Sequence, residues 1–127
     1  MRFGEFVKQV ADANPLVDTI SKYGRSPMSE YLDLWKTYCC FHRDSYASLK
    51  VYKDSPNQFW CFSCPSNGDV FDFMARLKKT TRLGALIFLA IKSKIEIPET
   101  FDDIDPVLEA RILAAKERFC RKKRSKK

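Results

Sequence analysis

Four side chains in two short pairs constrain this chain more than anything else in it. Two residues separate Cys39 from His42, two separate Cys61 from Cys64, and eighteen lie between the pairs. A two-residue spacer lets a tight knuckle aim both donors at one point, and two knuckles close a tetrahedron around one ion. The intervening stretch is what a strand, a turn and a returning strand require. Three thiolates and a neutral imidazole suit zinc and leave no coordination position open. The expected cofactor is therefore one structural Zn2+ held by Cys39, His42, Cys61 and Cys64. A sheet this small has little core without its metal, which couples folding to zinc.

Other readings of the cysteines are weaker. Trp60-Cys61-Phe62-Ser63-Cys64-Pro65 superficially matches a thiol–disulfide redox segment, but that motif ends a strand in a βαβ setting and opens a helix at once. Here Pro65-Ser66-Asn67-Gly68 intervenes, and the Cys39/His42 pair would go unexplained. Merely buried thiols do not account for a doubled spacing. Cys40 leaves only one residue before His42, a poorer knuckle, and Cys120 has no assigned role.

With 127 residues, 45% of them hydrophobic, the chain has enough for one domain with a modest core. No apolar run reaches membrane-spanning length and the start lacks the layout of a secretory signal, so a cytoplasmic protein with no membrane partner is expected. In a reducing compartment five cysteines favour metal over disulfides. The formal charge of +7 is local: residues 116–127 carry eight Lys or Arg against Glu117 alone, which leaves fifteen basic and fifteen acidic residues in 1–115. Phosphate binding by the body must come from local clustering.

Hydrophobic patterning predicts an α+β fold. Residues 3–13 and 15–23 have helical spacing, with Asn14 as N-cap, Pro15 at the first helical position and Gly24 as the stop of the second helix. Alternation predicts strands over 30–37, 48–53 and 58–62. Asp69 is expected to cap a helix whose buried side is Val70, Phe71, Phe73, Met74 and Leu77. A nearly all-apolar helix over 83–93 is expected to pack on the sheet, and a last helix over 107–120 runs into the basic tail. The expected divisions are a zinc-binding domain over 1–94, an acidic linker over 95–106, and a helix with basic tail over 107–127.

More residues around the two pairs form a recognisable pattern. Phe41 precedes His42, Ser48-Leu49-Lys50-Val51 forms the next strand, and Phe59-Trp60-Cys61-Phe62-Ser63-Cys64 leads to Gly68-Asp69-Val70-Phe71-Asp72-Phe73 at the start of a helix. With these, residues 14–92 resemble the N-terminal zinc-binding domain of bacterial and phage DnaG-type DNA primases. The chain departs from that family at Cys40, where Pro is usual, at Tyr46-Ala47-Ser48-Leu49, where Thr-Pro-Ser-Phe is usual, and at Ser63 and Pro65, where Gly is usual. None of these changes removes a zinc ligand. The resemblance implies a zinc ribbon on a small antiparallel sheet flanked by N- and C-terminal helices, with the domain's core at 14–92, and a role in recognising single-stranded template DNA during primer synthesis. In full primases a catalytic region follows this domain, and this chain ends before one could begin, so no enzyme is expected. Asp102, Asp103 and Asp105 lie between prolines rather than on a rigid sheet, which suits a solvated acidic linker near the basic tail better than two-metal catalysis.

The implied function is a zinc-dependent module that binds single-stranded DNA and assists a separate primase, polymerase or helicase, as a stand-alone protein of a phage, plasmid or other mobile element. Sequence-tolerant binding of single strands uses aromatic faces for bases and Lys or Arg for phosphates. Alternation puts Lys50 and Tyr52 on one face of their strand, and Gln58, Trp60 and Phe62 on one face of the next. If those faces coincide, they form a stacking platform edged by Arg43, Lys50 and Lys53; if not, Tyr52 and Trp60 are core beneath a helix. Arg121, Lys122, Lys123 and Arg124 are either further phosphate contacts or a solubilising end. Two other functions compete: an adaptor docking a replication or other nucleoprotein partner through the ribbon and the helix over 105–120, and a regulatory zinc protein binding duplex DNA or RNA.

Overall fold

The computed structural model describes residues 1–41, 47–62, 64 and 66–124, the last five as helix backbone. In chain order its elements are α1 (Phe3–Ala13), α2 (Leu16–Tyr23), β1 (Ser29–Glu30), β2 (Leu34–Thr37), β3 (Leu49–Tyr52), β4 (Phe59–Cys61), β5 (Asn67–Gly68), α3 (Val70–Leu77), α4 (Arg82–Lys92) and α5 (Pro106–Arg124). The fold is α+β, as the patterning predicts. The strands form one antiparallel sheet in the order β1-β2-β3-β4-β5, so each strand pairs with its neighbour in sequence. Leu49, Val51, Phe59 and Cys61 point from the sheet into the core, where Phe41, Phe59 and Phe73 meet with ring centroids 5.4–6.4 Å apart. Helix α3 packs on that inner face through Phe73.

Local chemistry sets most boundaries. The Glu5 carboxylate accepts the Arg2 N–H at 3.1 Å, and α1 buries Phe6 and Val10. Helix α2 starts one residue later than predicted, with Pro15 rather than Asn14 as N-cap. Asn14 is committed elsewhere: its side-chain amide donates to the Val10 carbonyl at 2.8 Å and to the Ser93 hydroxyl at 2.9 Å, closing α1 and tying it to the end of α4. Asp69 caps α3 as expected, accepting the N–H groups of Phe71 and Asp72.

Three expectations need correction. Residues 30–37 are not one strand but the hairpin β1–β2, turned by Tyr31-Leu32-Asp33 with the Tyr31 N–H donating to the Leu34 carbonyl at 2.8 Å. Leu32 satisfied an apolar alternation, yet it sits at the hairpin tip and is 95% exposed. Helix α4 packs chiefly on α3, α5 and α1 rather than on the sheet. Its buried run from Gly84 to Ala90 follows from being enclosed by helices on several sides. Finally, the acidic stretch over 95–106 is anchored to the chain's start. Phe101 is 7% exposed, with its ring 5.3 Å from both Phe3 and Phe6. Asp102 pairs with the terminal amine at 3.3 Å, Asp103 accepts the Phe3 N–H at 2.8 Å, and Asp105 accepts the Leu108 N–H at 2.8 Å to start α5. Among the described residues no helix is long and apolar enough to cross a membrane.

Candidate metal centre

Cys39 follows the end of β2, Cys61 ends β4 and Cys64 lies just beyond it, so antiparallel pairing brings three distant thiols to one end of the sheet. Their sulfurs all lie within 4.8 Å of one another, and Cys39 Sγ is 4.0 Å from Cys64 Sγ. Tetrahedral thiolates about 2.3 Å from zinc stand roughly 3.8 Å apart, close to the Cys39–Cys64 separation, so the cluster fits one zinc ion. Cys39 and Cys61 are buried and Cys64 half-buried, as a closed structural site requires. His42, the expected fourth ligand, and Arg43 lie outside the described residues. Cys40 is half-buried and not part of the cluster, as the knuckle spacing predicts.

The surroundings act in opposite directions on Cys39 and Cys64. The Phe41 N–H points at Cys39 Sγ at 3.4 Å. Cys64 Sγ is 3.1 Å from the Ser66 hydroxyl, which also accepts a hydrogen bond from the Arg76 guanidinium. That guanidinium lies over the Phe41 ring, 4.8 Å from its centroid. Without metal, burial pushes the Cys39 thiol up to about 12. At Cys64 burial works in the same direction, but hydrogen bonds from Ser66, Cys61 and Cys39 and the charge of Arg76 outweigh it and hold the thiol below its ordinary value. A divalent cation supplies the charge that lets the Cys39 thiol ionise.

The segment leaving the centre explains the Gly-Asp signature. Gly68 has φ +142°, a backbone conformation that L side chains rarely adopt, and a Cβ there would collide with the Asp72 carboxylate. That carboxylate accepts the Asp69 N–H at 3.0 Å, completing a reciprocal cap with Asp69. Arg82 then clamps both acids, reaching Asp69 through two bonds of 2.8 and 3.0 Å and Asp72 at 2.7 Å.

On its outer face the sheet carries cations beside aromatic rings. The register pairs Lys50 with Trp60 and with Lys36, and Leu34 with Tyr52, so the two candidate faces are one. Trp60 is 38% and Phe62 63% exposed. Lys50 Nζ sits 4.7 Å from the centroid of Phe62, Lys36 Nζ 4.7 Å from Tyr31, and the Arg25 guanidinium 5.3 Å from Tyr38.

The family model described as the CHC2 zinc finger, a DnaG zinc ribbon, matches residues 3–104. The chain belongs to the CHC2 zinc-finger family. Among solved structures it is similar to the Aquifex aeolicus primase, whose structure comprises zinc-binding and RNA polymerase domains. The TM-score is 0.63 at 24% sequence identity, over 79% of this chain. The chain spans about a quarter of that protein, 24% of its length. No curated protein matches it at a significant level.

The cluster of Cys39, Cys61 and Cys64 fits the structural zinc ion of a CHC2 zinc finger. The sequence-predicted surface residues divide. Lys50, Tyr52 and Trp60 share the outer face, whereas Lys53 turns to Glu30 at 2.7 Å and to the Trp35 ring at 5.2 Å. The backbone of Arg121, Lys122, Lys123 and Arg124 continues α5. Sequence reasoning passed over Arg76, Ser66 and Arg82, which support the centre and the α3 cap, and over Lys36, Tyr31, Arg25 and Tyr38 on the sheet side. Only Ser66, two residues after Cys64, carried a local signal.

Proposed function

We propose that this CHC2 zinc finger is a non-catalytic module that binds single-stranded DNA through the outer face of its sheet and serves a separate replication enzyme. The observation that carries this reading is the Lys50–Trp60 cross-strand pair, with Phe62, Tyr52 and Lys36 around it. Exposed rings beside ammonium groups are what successive bases and phosphates of a single strand need. Lys36 extends the platform beyond the residues expected from sequence, and Lys53, tied to Glu30, is left out of it. A binding role rather than catalysis is supported by the acidic cluster, since Asp102, Asp103 and Asp105 all have structural partners. The solved primase with a zinc-binding domain gives the reading its context.

Fluorescence anisotropy with single-stranded, duplex and RNA probes tests it. Loss of two stacking rings and one cation from Lys50→Ala/Tyr52→Ala/Trp60→Ala should weaken single-strand binding by about two orders of magnitude. Unchanged affinity in a folded, zinc-loaded triple variant rejects this surface. Truncation after Phe119 should flatten the salt dependence if the tail contacts phosphates. A second reading, a protein adaptor, draws on the exposed Val107 and Leu113 of α5, and it gains ground if no nucleic acid binds at low salt.

A further inference from the structure

A groove of about 470 Å3 runs between the start of α4 and the middle of α5, in the helical layer and away from the sheet's outer face. Thr80, Thr81 and Leu83 form one wall, and Arg111, Arg118 and Phe119 the other. Arg111 and Arg118 are seven residues apart, which puts them on one face of α5 about 10 Å apart along its axis. Ala114 and Ala115 lie between them, and their small side chains leave the floor of the groove open.

Lys8 pairs with Asp12, Lys53 with Glu30, and Arg82, at the rim of the groove, with Asp69 and Asp72. Arg111 and Arg118 are both exposed, and among the described residues neither has a carboxylate within ion-pair distance. Glu109 and Glu117 are one or two positions from an arginine, a spacing that does not bring side chains together on a helix. The Arg118 guanidinium lies over Phe119, 5.1 Å from its centroid, and that ring is held against Phe88 at 5.4 Å.

Two planar guanidinium forks are matched to phosphate oxygens. Leu83 and Phe119 add an apolar surface that a base or sugar can cover, within a volume suited to a small ligand. An acidic peptide would use the cations and leave that surface idle. We propose that this groove binds the phosphates of a nucleotide, free or within a strand, at a site separate from the sheet face.

The test uses the full zinc-loaded chain at low salt, titrated with ATP, inorganic triphosphate, a short labelled single strand and poly-glutamate. Arg111→Ala/Arg118→Ala is compared with the charge-retaining Arg111→Lys/Arg118→Lys and with Ala115→Glu, which puts a carboxylate on the groove floor. The alanine pair and Ala115→Glu should each weaken nucleotide-phosphate binding about tenfold or more, and the lysine pair less, with zinc content and circular dichroism unchanged. Loss of ATP and triphosphate binding identifies a free nucleotide; loss for the strand alone identifies a polynucleotide. Lys50→Ala/Tyr52→Ala/Trp60→Ala should leave ATP binding intact, which separates the groove from the sheet. The proposal is overturned if wild type binds none of the phosphate probes, if folded groove variants bind them as wild type does, or if poly-glutamate binds as tightly as the strand.

Discussion

Replacing Gly68 with alanine should be the most costly single-methyl change in this chain. Its φ of +142° is one that L side chains rarely adopt, and forcing a side chain into such a region costs about 1–3 kcal/mol. The new Cβ also lands on the Asp72 carboxylate, so either β5 moves or Asp72 releases the Asp69 N–H, at a further cost of about 1 kcal/mol for the weakened cap. The expected destabilisation is about 2–4 kcal/mol. With a urea slope of about 1–3 kcal/mol per molar for a small domain, the midpoint should fall by roughly 1–2 M. Urea unfolding with a fixed excess of zinc is the assay, because metal linkage would otherwise move the reference.

Two controls make the reasoning refutable. Gly4, inside α1, has open space around its missing Cβ, so Gly4→Ala should stabilise by about 0.5–1 kcal/mol. In an Asp72→Ala background the collision partner is gone, and Gly68→Ala should then cost less by at least about 1 kcal/mol, the remainder being backbone strain. If Gly68→Ala costs no more than Gly4→Ala, or costs the same with and without Asp72, the account of the Gly-Asp signature is wrong.

Removal of zinc by a chelator should lower the melting temperature and abolish amide protection in β3 and β4 before α4; equal protection in both with and without metal would deny the centre a structural role. Phe101→Ala empties a nearly buried site between Phe3 and Phe6 and should cost about 3 kcal/mol, whereas a loss below about 1 kcal/mol would mean that the 95–106 stretch is not anchored. Asp69, although burial opposes its charge, is held below the usual carboxylate range by Arg82, by the Asp72 N–H and by Asp72. Its contribution is therefore present above the unfolded value near 4 and is lost as pH falls through the lower folded value. Asp69→Asn should thus be less stable at neutral pH by about 1 kcal/mol, discounted for partial exposure, and the two proteins should converge in acid. A gap that widens towards low pH would reverse the sign and reject the assignment.

What the sequence disclosed depended on the range of the interaction. The zinc thiols were legible because a knuckle is a local object, and Cys39 could be preferred to Cys40 on spacing alone. Asp69 was legible as a cap for the same reason. Alternation over 48–53 sorted Leu49 and Val51 from Lys50 and Tyr52, but only the register, with Lys50 opposite Trp60, decided that the two polar-aromatic faces are one. The turn at Tyr31-Leu32-Asp33 was hidden by an apolar residue that is almost fully exposed. Arg76 and Arg82 were invisible as supports because their partners, Ser66 and the Asp69–Asp72 pair, become neighbours only when α3 and α4 are in place. Phe101 was read as linker because a single aromatic among acids has no period.

The centre and the outer face of the sheet are mechanically one unit. Between Cys64 and Asp69 the chain has only four residues, and two of them form β5. One end of that span is held at the metal: the Ser66 carbonyl accepts the Cys61 N–H at 2.9 Å, and the Ser66 hydroxyl sits on Cys64. The other end is held at the α3 cap by Asp69, Asp72 and Arg82. Asn67, in the middle, is the strand partner of Trp60. Zinc holds the Cys61–Cys64 end and the Gly-Asp turn fixes the other, so Trp60 presents its ring outward only while both anchors hold. Loosening either one should alter Trp60 fluorescence before the helices unfold. An unchanged Trp60 environment after metal removal would mean that β4 is ordered by the helical core alone.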